Sequence, residues 1–324
     1  MATASYFGRN AFVQFRAEDS WGIAKSGTDL QRPFISCSML RQIEKVDRPN
    51  LLVSGVNGLR RGFYVAKDAC TGSLSIEATY DNLNPILRQV FGAGATSAGT
   101  VNTHSYSLGD VPDQGMTMSV QRGTGQVEVF EGIVFSSFKA SCSSSEVMTI
   151  DLEMMGQTSA ARTTAITYTQ PTNENLVLHN HAGSLSWNSQ TFTMIDFDFT
   201  LENGLAERMR LGDLTTKKPT SADYRNATMT ITIETDDTNG YANFLSDPTG
   251  QNAEVLFDNG LSGASRRYLQ FDLHDAVITE YDDSVSETGL ITATVTLKGF
   301  GDGTNHGAAI HAYNVAASAS ADSA

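Results

Sequence analysis

The sequence has few basic residues, few cysteines and no long apolar run, and each shortage excludes a class of protein. Its 324 residues carry 22 Lys and Arg against 36 Asp and Glu, a formal net charge of −14. Proteins that bind nucleic acid through its phosphates need a cationic surface, so this acidity argues against such binding. No apolar run reaches the roughly 18 residues that predict a membrane-spanning helix. Residues 1–10 lack the charged and apolar regions of a secretory signal.

The cysteines exclude two further classes. Cys37, Cys70 and Cys142 are too few and too scattered for a disulfide framework or a zinc site. They are compatible with folding in a reducing cytoplasm. With 40% apolar residues, the chain can form an ordinary globular core.

Apolar residues recur at every second position along much of the chain. In Met148–Met154, for example, Met148, Ile150 and Leu152 alternate with Thr149 and Asp151. This period of two is typical of half-buried strands. The same alternation occurs in Leu74–Ala78, Ile195–Leu201, Met229–Ile233 and Ile291–Leu297. Longer strands are predicted at Met116–Gln121, Gln126–Ala140 and Tyr268–Thr279.

Helical signals are few. Asn84 is predicted to cap a short helix that has Pro85 at its first position and ends at Gly92. A second short helix is predicted to begin near Thr238 and to end before Pro248. The fold class is therefore mostly β, with one short flanking helix in each half.

The two halves of the sequence resemble each other. Leu74–Ala78 aligns with Met229–Ile233 at an offset of 155, Cys37 aligns with Ile195 at 158, and Gly156 aligns with Gly299 at 143. Periods above the range of solenoid repeats still mark duplicated domains. We therefore predict a first domain at 1–156, a linker at 157–172, a second domain at 173–302 and a flexible C-terminal tail at 303–324.

Each half also has a long polar insertion between its first two strands, Lys45–Lys67 and Asn203–Arg225. Loops of this length are uncommon in compact domains and usually carry function. The two insertions hold ten of the 22 basic residues, whereas Asn226–Asp302 holds 13 acidic residues and three basic ones.

Signals of catalysis or metal binding are weak. His179 and His181 are a conceivable metal pair, but no third ligand is placed, and surface histidines are the favoured interpretation. The acidic residues Asp282, Asp283 and Glu287 lack the pattern of a calcium loop, so a solvated hairpin tip is favoured for them. We predict no catalytic residue, no metal and no cofactor.

The order of these elements resembles the phage tail tube proteins, in particular the duplicated type of siphophages. The resemblance covers roughly residues 11–302. It is carried by Trp21–Ala24, Gly72–Glu77, the helix Asn84–Gly92, the strands between Gly132 and Gly156, and Asp196–Leu205.

The resemblance implies two tandem domains, each a β-sandwich or part-barrel with a flanking helix and a long inter-strand loop. Three chains would form a pseudo-hexameric ring, and stacked rings would form a hollow tail tube through which DNA is ejected. The partners would be other copies of the chain, the tape measure protein and the terminator or tip proteins. The location would be the virion tail, after assembly in the host cytoplasm.

In that family the long loop of each domain reaches the next ring. The corresponding residues of this chain, predicted to make contacts between rings, are Arg60, Arg61, Phe63, Tyr64, Arg208, Arg210, Lys217 and Lys218. An acidic lumen would repel phosphates and let DNA slide without specific binding. Asp282, Asp283 and Glu287 are the candidates for that lumen or for a stacking surface.

Two other functions stay open at this point. A carbohydrate-binding or adhesin-type β-protein would need exposed aromatic side chains in a polar groove, for which Trp21 and Trp187 are the candidates. A β-rich hydrolase would need a convergent His, Asp and Ser pocket, and no local sequence signature marks one.

Overall fold

Alternation of apolar and polar residues produces 21 β-strands and one α-helix in the part of the chain that the structure describes. The structure is a computed structural model, and it describes residues 11–27, 30–47, 62–99, 101–110, 114–123, 127–162, 166, 175–187, 190–234, 250–282, 292–301 and 307–314. The predicted mostly-β fold is confirmed.

The first half of the chain contains eleven strands and the helix. They are β1 (Phe12–Ala17), β2 (Leu30–Pro33), β3 (Ser36–Cys37), β4 (Leu40–Asp47), β5 (Phe63–Glu77), α1 (Asn84–Phe91), β6 (Gly92–Ser97), β7 (Asn102–Leu108), β8 (Met116–Gln121), β9 (Val127–Ser143), β10 (Thr149–Gly156) and β11 (Thr158–Arg162).

The second half contains ten strands and two short 3₁₀ turns, at His179–His181 and Gly263–Ser265. The strands are β12 (Ala182–Trp187), β13 (Gln190–Phe192), β14 (Met194–Glu202), β15 (Leu205–Arg208), β16 (Lys217–Ser221), β17 (Asn226–Glu234), β18 (Gln251–Asp258), β19 (Tyr268–Asp282), β20 (Thr292–Lys298) and β21 (Ala308–Asn314).

The strands form three connected antiparallel sheets and one separate hairpin. The long sheet runs in the order β3/β4–β5–β10–β9–β14–β17–β20–β19. A second sheet runs β2–β1–β8–β9–β11. A third runs β6–β7–β21–β19–β18–β12–β13. β9 and β19 each belong to two sheets, which they can do because each is at least 15 residues long.

The same order of pairing occurs once in each half. In the first half it is β1–β8–β9–β10–β5–β3, and in the second half it is β12–β18–β19–β20–β17–β14. Even the irregularity is repeated: β9 skips one residue opposite β10 at Ser136, and β19 skips one opposite β20 at Thr279. These bulges lie 143 residues apart, which is the offset predicted for the closing strands.

The pairing corrects the offsets predicted for the earlier strands of the two halves. Leu152 lies opposite Leu74, and Val295, its equivalent, lies opposite Ile231, so Leu74 corresponds to Ile231 at an offset of 157 rather than 155. In the same way Cys37 corresponds to Phe197, an offset of 160 rather than 158. Both errors are shifts of two residues. A shift of two preserves the alternation, so the sequence pattern could not detect it.

One apolar core joins the two halves. It contains residues of both, and an aromatic series crosses between them through rings 5.0–6.4 Å apart. The series consists of Phe91, Phe138, Phe199, Phe271 and Phe197. Because these rings are almost fully buried, the halves share the stabilisation that their burial provides.

The first predicted helix is confirmed as α1, but its capping differs from the prediction. Leu83 is the N-cap residue and Asn84 is the first helical residue. The Asn84 side chain accepts a hydrogen bond from Asn314 Nδ2 (3.1 Å) instead of capping the helix. Gly92, with φ of 90°, ends the helix as predicted.

The structure also corrects the predicted linker and tail. Residues Thr158–Arg162, placed in the linker 157–172, form β11 and pair with β9. Residues Ala308–Asn314, placed in the flexible tail 303–324, form β21 between β7 and β19. Composition alone does not show which backbone groups find partners, so it could not identify these segments as strands. The helix predicted between Thr238 and Pro248 lies outside the described residues.

Candidate assembly surfaces

The long sheet has one apolar face and one polar face. Side chains such as Ile150, Ile231 and Val295 point into the core, and their neighbours in sequence point away from it. Cross-strand register places ten carboxylates and three ammonium groups together on the polar face, among serines and threonines. They are Glu44, Glu77, Asp151, Glu153, Asp196, Asp198, Glu202, Glu234, Glu280 and Asp282, with Lys67, Lys139 and Lys298.

Hydrogen bonds and one ion pair stabilise the polar face. Lys139 Nζ lies 3.2 Å from Asp198 Oδ1, across the boundary between β9 and β14. Hydroxyl groups pair across the strands, as at Ser141 and Thr149 (2.9 Å between Oγ atoms). Asp282, one of the predicted lumen residues, lies on this face opposite Thr294, and Asp283 and Glu287 lie outside the described residues.

The two halves meet where β14 pairs with β9. Seven residues of β14, Asp196–Glu202, lie opposite Ser143–Ser137. The long sheet therefore continues from one half into the other without interruption. Sequence analysis did not find this pairing, because alternation shows which face a side chain occupies but not which strand lies beside it.

Buried polar contacts also hold the two halves together. Arg267 Nε of the second half lies 3.2 Å from Asp81 Oδ1 of the first, and both side chains are about nine-tenths buried. Asn203 Nδ2 donates to the carbonyl oxygens of Phe135 (2.9 Å) and Val90 (3.2 Å). Arg225 donates to the last carbonyls of α1, where a cation also suits the negative end of the helix dipole.

Strand β21 forms a second link between the halves. His311 Nδ1 lies 2.8 Å from Ser105 Oγ on β7, and His311 Nε2 lies 3.0 Å from Asp272 Oδ2 on β19. The three residues have the types found in a catalytic triad. They lie on adjacent strands of one sheet, with His311 directly opposite Ser105. These hydrogen bonds therefore hold β21 in register between β7 and β19.

The long sheet has two open edges in the described part of the chain. β3 and β4 pair only with β5, and β19 beyond Ala276 pairs only with β20. The open edge of β3 and β4 carries exposed apolar side chains, including Ile35 (58% exposed), Leu40 (55%) and Ile43 (44%). Open edges with exposed apolar groups are sites where another chain pairs.

The second predicted loop, Asn203–Arg225, folds as the hairpin β15–β16 and lies across the first half. Asp68 on β5 is bonded to it on both sides, by its N–H to Leu214 O (2.8 Å) and by its C=O to Thr216 N (3.3 Å). Lys67 forms an ion pair with Glu207. The hairpin tip is apolar and exposed, because Met209, Leu211 and Leu214 extend from it.

The predicted ring-contact residues divide into three groups. Phe63 and Tyr64 begin β5 and are at least half exposed. The four basic residues of the hairpin lie near its tip or along β16, and Lys217 Nζ is 3.1 Å from Asp213 Oδ1. Arg60 and Arg61 lie outside the described residues.

The other open functions find little support in the described residues. Trp187 is buried and so unavailable to stack on a sugar, and Trp21 lies against Gly132. His179 and His181 lie in a 3₁₀ turn, where His181 Nδ1 is 3.0 Å from the Tyr80 hydroxyl. No group of three or more potential metal ligands occurs in the ranges described above. No described helix is long and apolar enough to cross a bilayer.

Comparison with known proteins agrees with these surfaces. The family model described as "Phage tail tube protein" matches residues 8–268, which is most of the chain. A comparison with curated proteins gives no match. The family match confirms the resemblance predicted from the sequence, and a self-associating structural component of the virion tail accounts for the open edges. The chain belongs to the phage tail tube protein family.

Proposed function

We propose that three copies of this chain close into a pseudo-hexameric ring, and that stacked rings form the hollow tube through which phage DNA is ejected. Each chain would supply two tandem domains, one from each half. The repeated order of strand pairing and the repeated bulges at Ser136 and Thr279 support the duplication.

The observation that carries the proposal is the pairing of β9 with β14 inside the chain. This junction joins the end of β9, in the first half, to the first edge of the second half. The equivalent strands are the end of β19 and the edge of β3/β4, and these are the two open edges of the long sheet. The two open edges are equivalent to the two strands that pair at the internal junction, so each can pair with the other. Because both lie in one chain, the end of β19 in one copy would pair with β3/β4 of the next copy. Repeating the junction between copies gives a closed ring.

The internal junction also predicts the register between copies. Within the chain, Thr200 lies opposite Lys139 and Glu202 lies opposite Ser137. Applying the offsets of 160 and 143 places Leu40 of one copy opposite Asp282 of the next. Such pairing would give the backbone N–H and C=O groups of both edges hydrogen-bond partners, which is what completes an open strand edge.

The polar face of the long sheet is the proposed lumen. In a closed ring the apolar face points to the core, so the polar face would line the bore. Its ten carboxylates outnumber its three ammonium groups, so its net negative charge would repel DNA phosphates, and its hydroxyl groups would remain hydrated. DNA would therefore pass without specific binding.

The long insertions are the proposed stacking contacts. The apolar tip of the β15–β16 hairpin and its basic residues would meet the next ring, together with Arg60, Arg61, Phe63 and Tyr64 of the first insertion. The remaining partners would be the tape measure and the terminator or tip proteins. Assembly would take place in the host cytoplasm, and we propose no catalytic activity, metal or cofactor.

A disulfide trap tests the ring directly. In a Cys37→Ser chain, Leu40→Cys with Asp282→Cys should cross-link neighbouring copies, because directly opposed strand residues meet the geometry of a disulfide. Burial raises the pKa of Cys70 to about 12 and that of Cys142 to about 11, so these native thiols should stay unreactive. We expect covalent trimers on a non-reducing gel, and rings of uniform bore by electron microscopy.

The matched control is Leu40→Cys with Glu280→Cys, which is displaced by two residues. It should cross-link much less. Equal cross-linking of both pairs, or none of either, would contradict the proposed register. Glycan binding by isolated chains that form no rings would favour the carbohydrate-binding alternative.

A further inference from the structure

The six junctions of the proposed ring are of two chemical kinds. Three lie within chains, where β9 meets β14, and three lie between chains, where β19 would meet β3/β4 of the next copy. The comparison of the two kinds of junction rests on the proposed ring. The charged residues at each junction, however, belong to the described part of the chain.

The junction within the chain contains a cation between carboxylates. Lys139 on β9 lies opposite Asp151 on one side and opposite Thr200 on the other, and its Nζ reaches Asp198 on β14. Opposite charges across neighbouring strands stabilise their pairing. This junction therefore has an ion pair directly across it.

The junction between chains has no such pair. The position equivalent to Lys139 is Asp282, and the position equivalent to Asp198 is Ser38. Glu280 adds a second exposed carboxylate on the same face of β19, and Gln42 would lie opposite it. Carboxylates of one chain thus meet only neutral groups of the next.

The described cations nearest to this edge are already engaged elsewhere. Lys45 Nζ lies 4.9 Å from the centre of the Phe63 ring. Arg41 forms a two-pronged ion pair with Asp68. Glu44, which alternates with Gln42 on the strand, adds another negative charge. Lys67, which lies opposite Glu44 on β5, forms its ion pair with Glu207 of the hairpin. The open edges therefore carry negative charges on the polar face, and charged side chains at a strand edge disfavour pairing with another chain.

We propose that ring closure is electrostatically restrained at the junction between chains, so that the free chain stays monomeric until the negative charge is screened or neutralised. The junction within the chain needs no such step. Exposed charge pairs have small individual effects. Each ring, however, contains three copies of the restrained junction, so their effects combine in the stability of the trimer.

Sedimentation velocity at low and high NaCl tests the restraint. Charges a strand apart interact strongly at ~0.01 M salt, where the screening length is about 30 Å, and weakly at ~1 M, where it is about 3 Å. For the natural sequence, we expect the concentration at half-trimerisation to fall by about tenfold as the salt rises. No change with salt would overturn the proposal.

A double substitution that moves the ion pair to the junction between chains, called the transplant below, tests whether the restraint lies at that junction. Ser38→Asp with Asp282→Lys would rebuild between chains the ion pair that Lys139 forms within the chain. This variant should trimerise at low salt and lose most of the salt dependence. The matched control, Glu153→Lys with Ser137→Asp, makes the same change of net charge on the same face, at a pair opposed within the chain.

The control should behave like the natural sequence. If it trimerises as readily as the transplant, the restraint is a property of the whole acidic face, and the junction assignment is wrong. If neither variant trimerises at any salt concentration and the disulfide trap also fails, the ring itself is contradicted. If the trap succeeds and the transplant has no effect, only the restraint is contradicted.

Discussion

Replacing Arg267 should show how much a buried ion pair contributes to the stability of this fold. Its neighbour Arg266, which forms an exposed ion pair, is the control. Arg267 and Asp81 form an ion pair across the two halves, with side chains only 10% and 13% exposed. Arg266 forms an ion pair with Asp258, but its side chain is 44% exposed. The two arginines are adjacent in sequence and differ in burial, and Arg267 Nη1 also donates to the carbonyl oxygens of Ala264 and Arg266, both at 2.7 Å.

Removing one partner of a buried ion pair costs about 3–5 kcal/mol, because it leaves an uncompensated charge. After Arg267→Met, the Asp81 carboxylate would lose the cation paired with it and keep the hydrogen bond from Asn175 Nδ2 (2.6 Å). Arg32 Nη2 would still donate to the Asp81 carbonyl oxygen (2.8 Å). We therefore expect a loss of about 3 kcal/mol in the free energy of unfolding. Arg266→Met should cost less than about 1 kcal/mol, since exposed pairs are screened by water.

Equilibrium urea unfolding of the monomer, at concentrations below trimerisation, measures both values. A second substitution, Asp81→Asn in the Arg267→Met chain, should recover at least about 1 kcal/mol by removing the uncompensated charge. If Arg267→Met costs no more than Arg266→Met, or if Asp81→Asn lowers stability further, the buried pair does not lock the halves together.

Two other substitutions test a buried carboxylate and the stacking contacts. The Glu18 side chain accepts hydrogen bonds from the backbone of Gly22 and Gly132, both at 2.8 Å; Glu18→Gln, which keeps only one acceptor oxygen, should destabilise the chain by about 1–3 kcal/mol at neutral pH. Burial raises the pKa of Glu18 from 4.5. The natural chain should therefore gain stability relative to the variant as the pH falls through that raised pKa, and lose it as the pH rises; a difference in unfolding free energy that does not change with pH would contradict this. Arg60→Glu with Arg61→Glu should weaken ring stacking while leaving the circular dichroism spectrum unchanged, and normal tubes in electron micrographs would show that this loop does not make the contact.

Much of the local structure was predictable because it depends on neighbouring residues. Strand β8 was predicted with its observed bounds, and alternation placed Ile231 in the core and Thr230 on the polar face. The short helix α1 was predicted from Pro85 and Gly92. The acidic character of the long sheet also follows from the sequence, since Asp and Glu occupy alternate positions in β10 and in much of β14.

Pairing was not predictable, because the alternation that defines a strand is unchanged by a shift of two residues. Only the tertiary structure shows that Leu74 corresponds to Ile231, that the Ala-rich segment Ala308–Asn314 is a central strand, and that Thr158–Arg162 extends the first half. It also decides that β14 lies beside β9 while the equivalent edges stay open. The sequence by itself determined the strands that alternate clearly, the faces of those strands and the family, because these depend on local patterns. The contacts that join the two halves, and the edges that remain for another copy, depend on residues far apart in sequence, and so only the tertiary structure decided them.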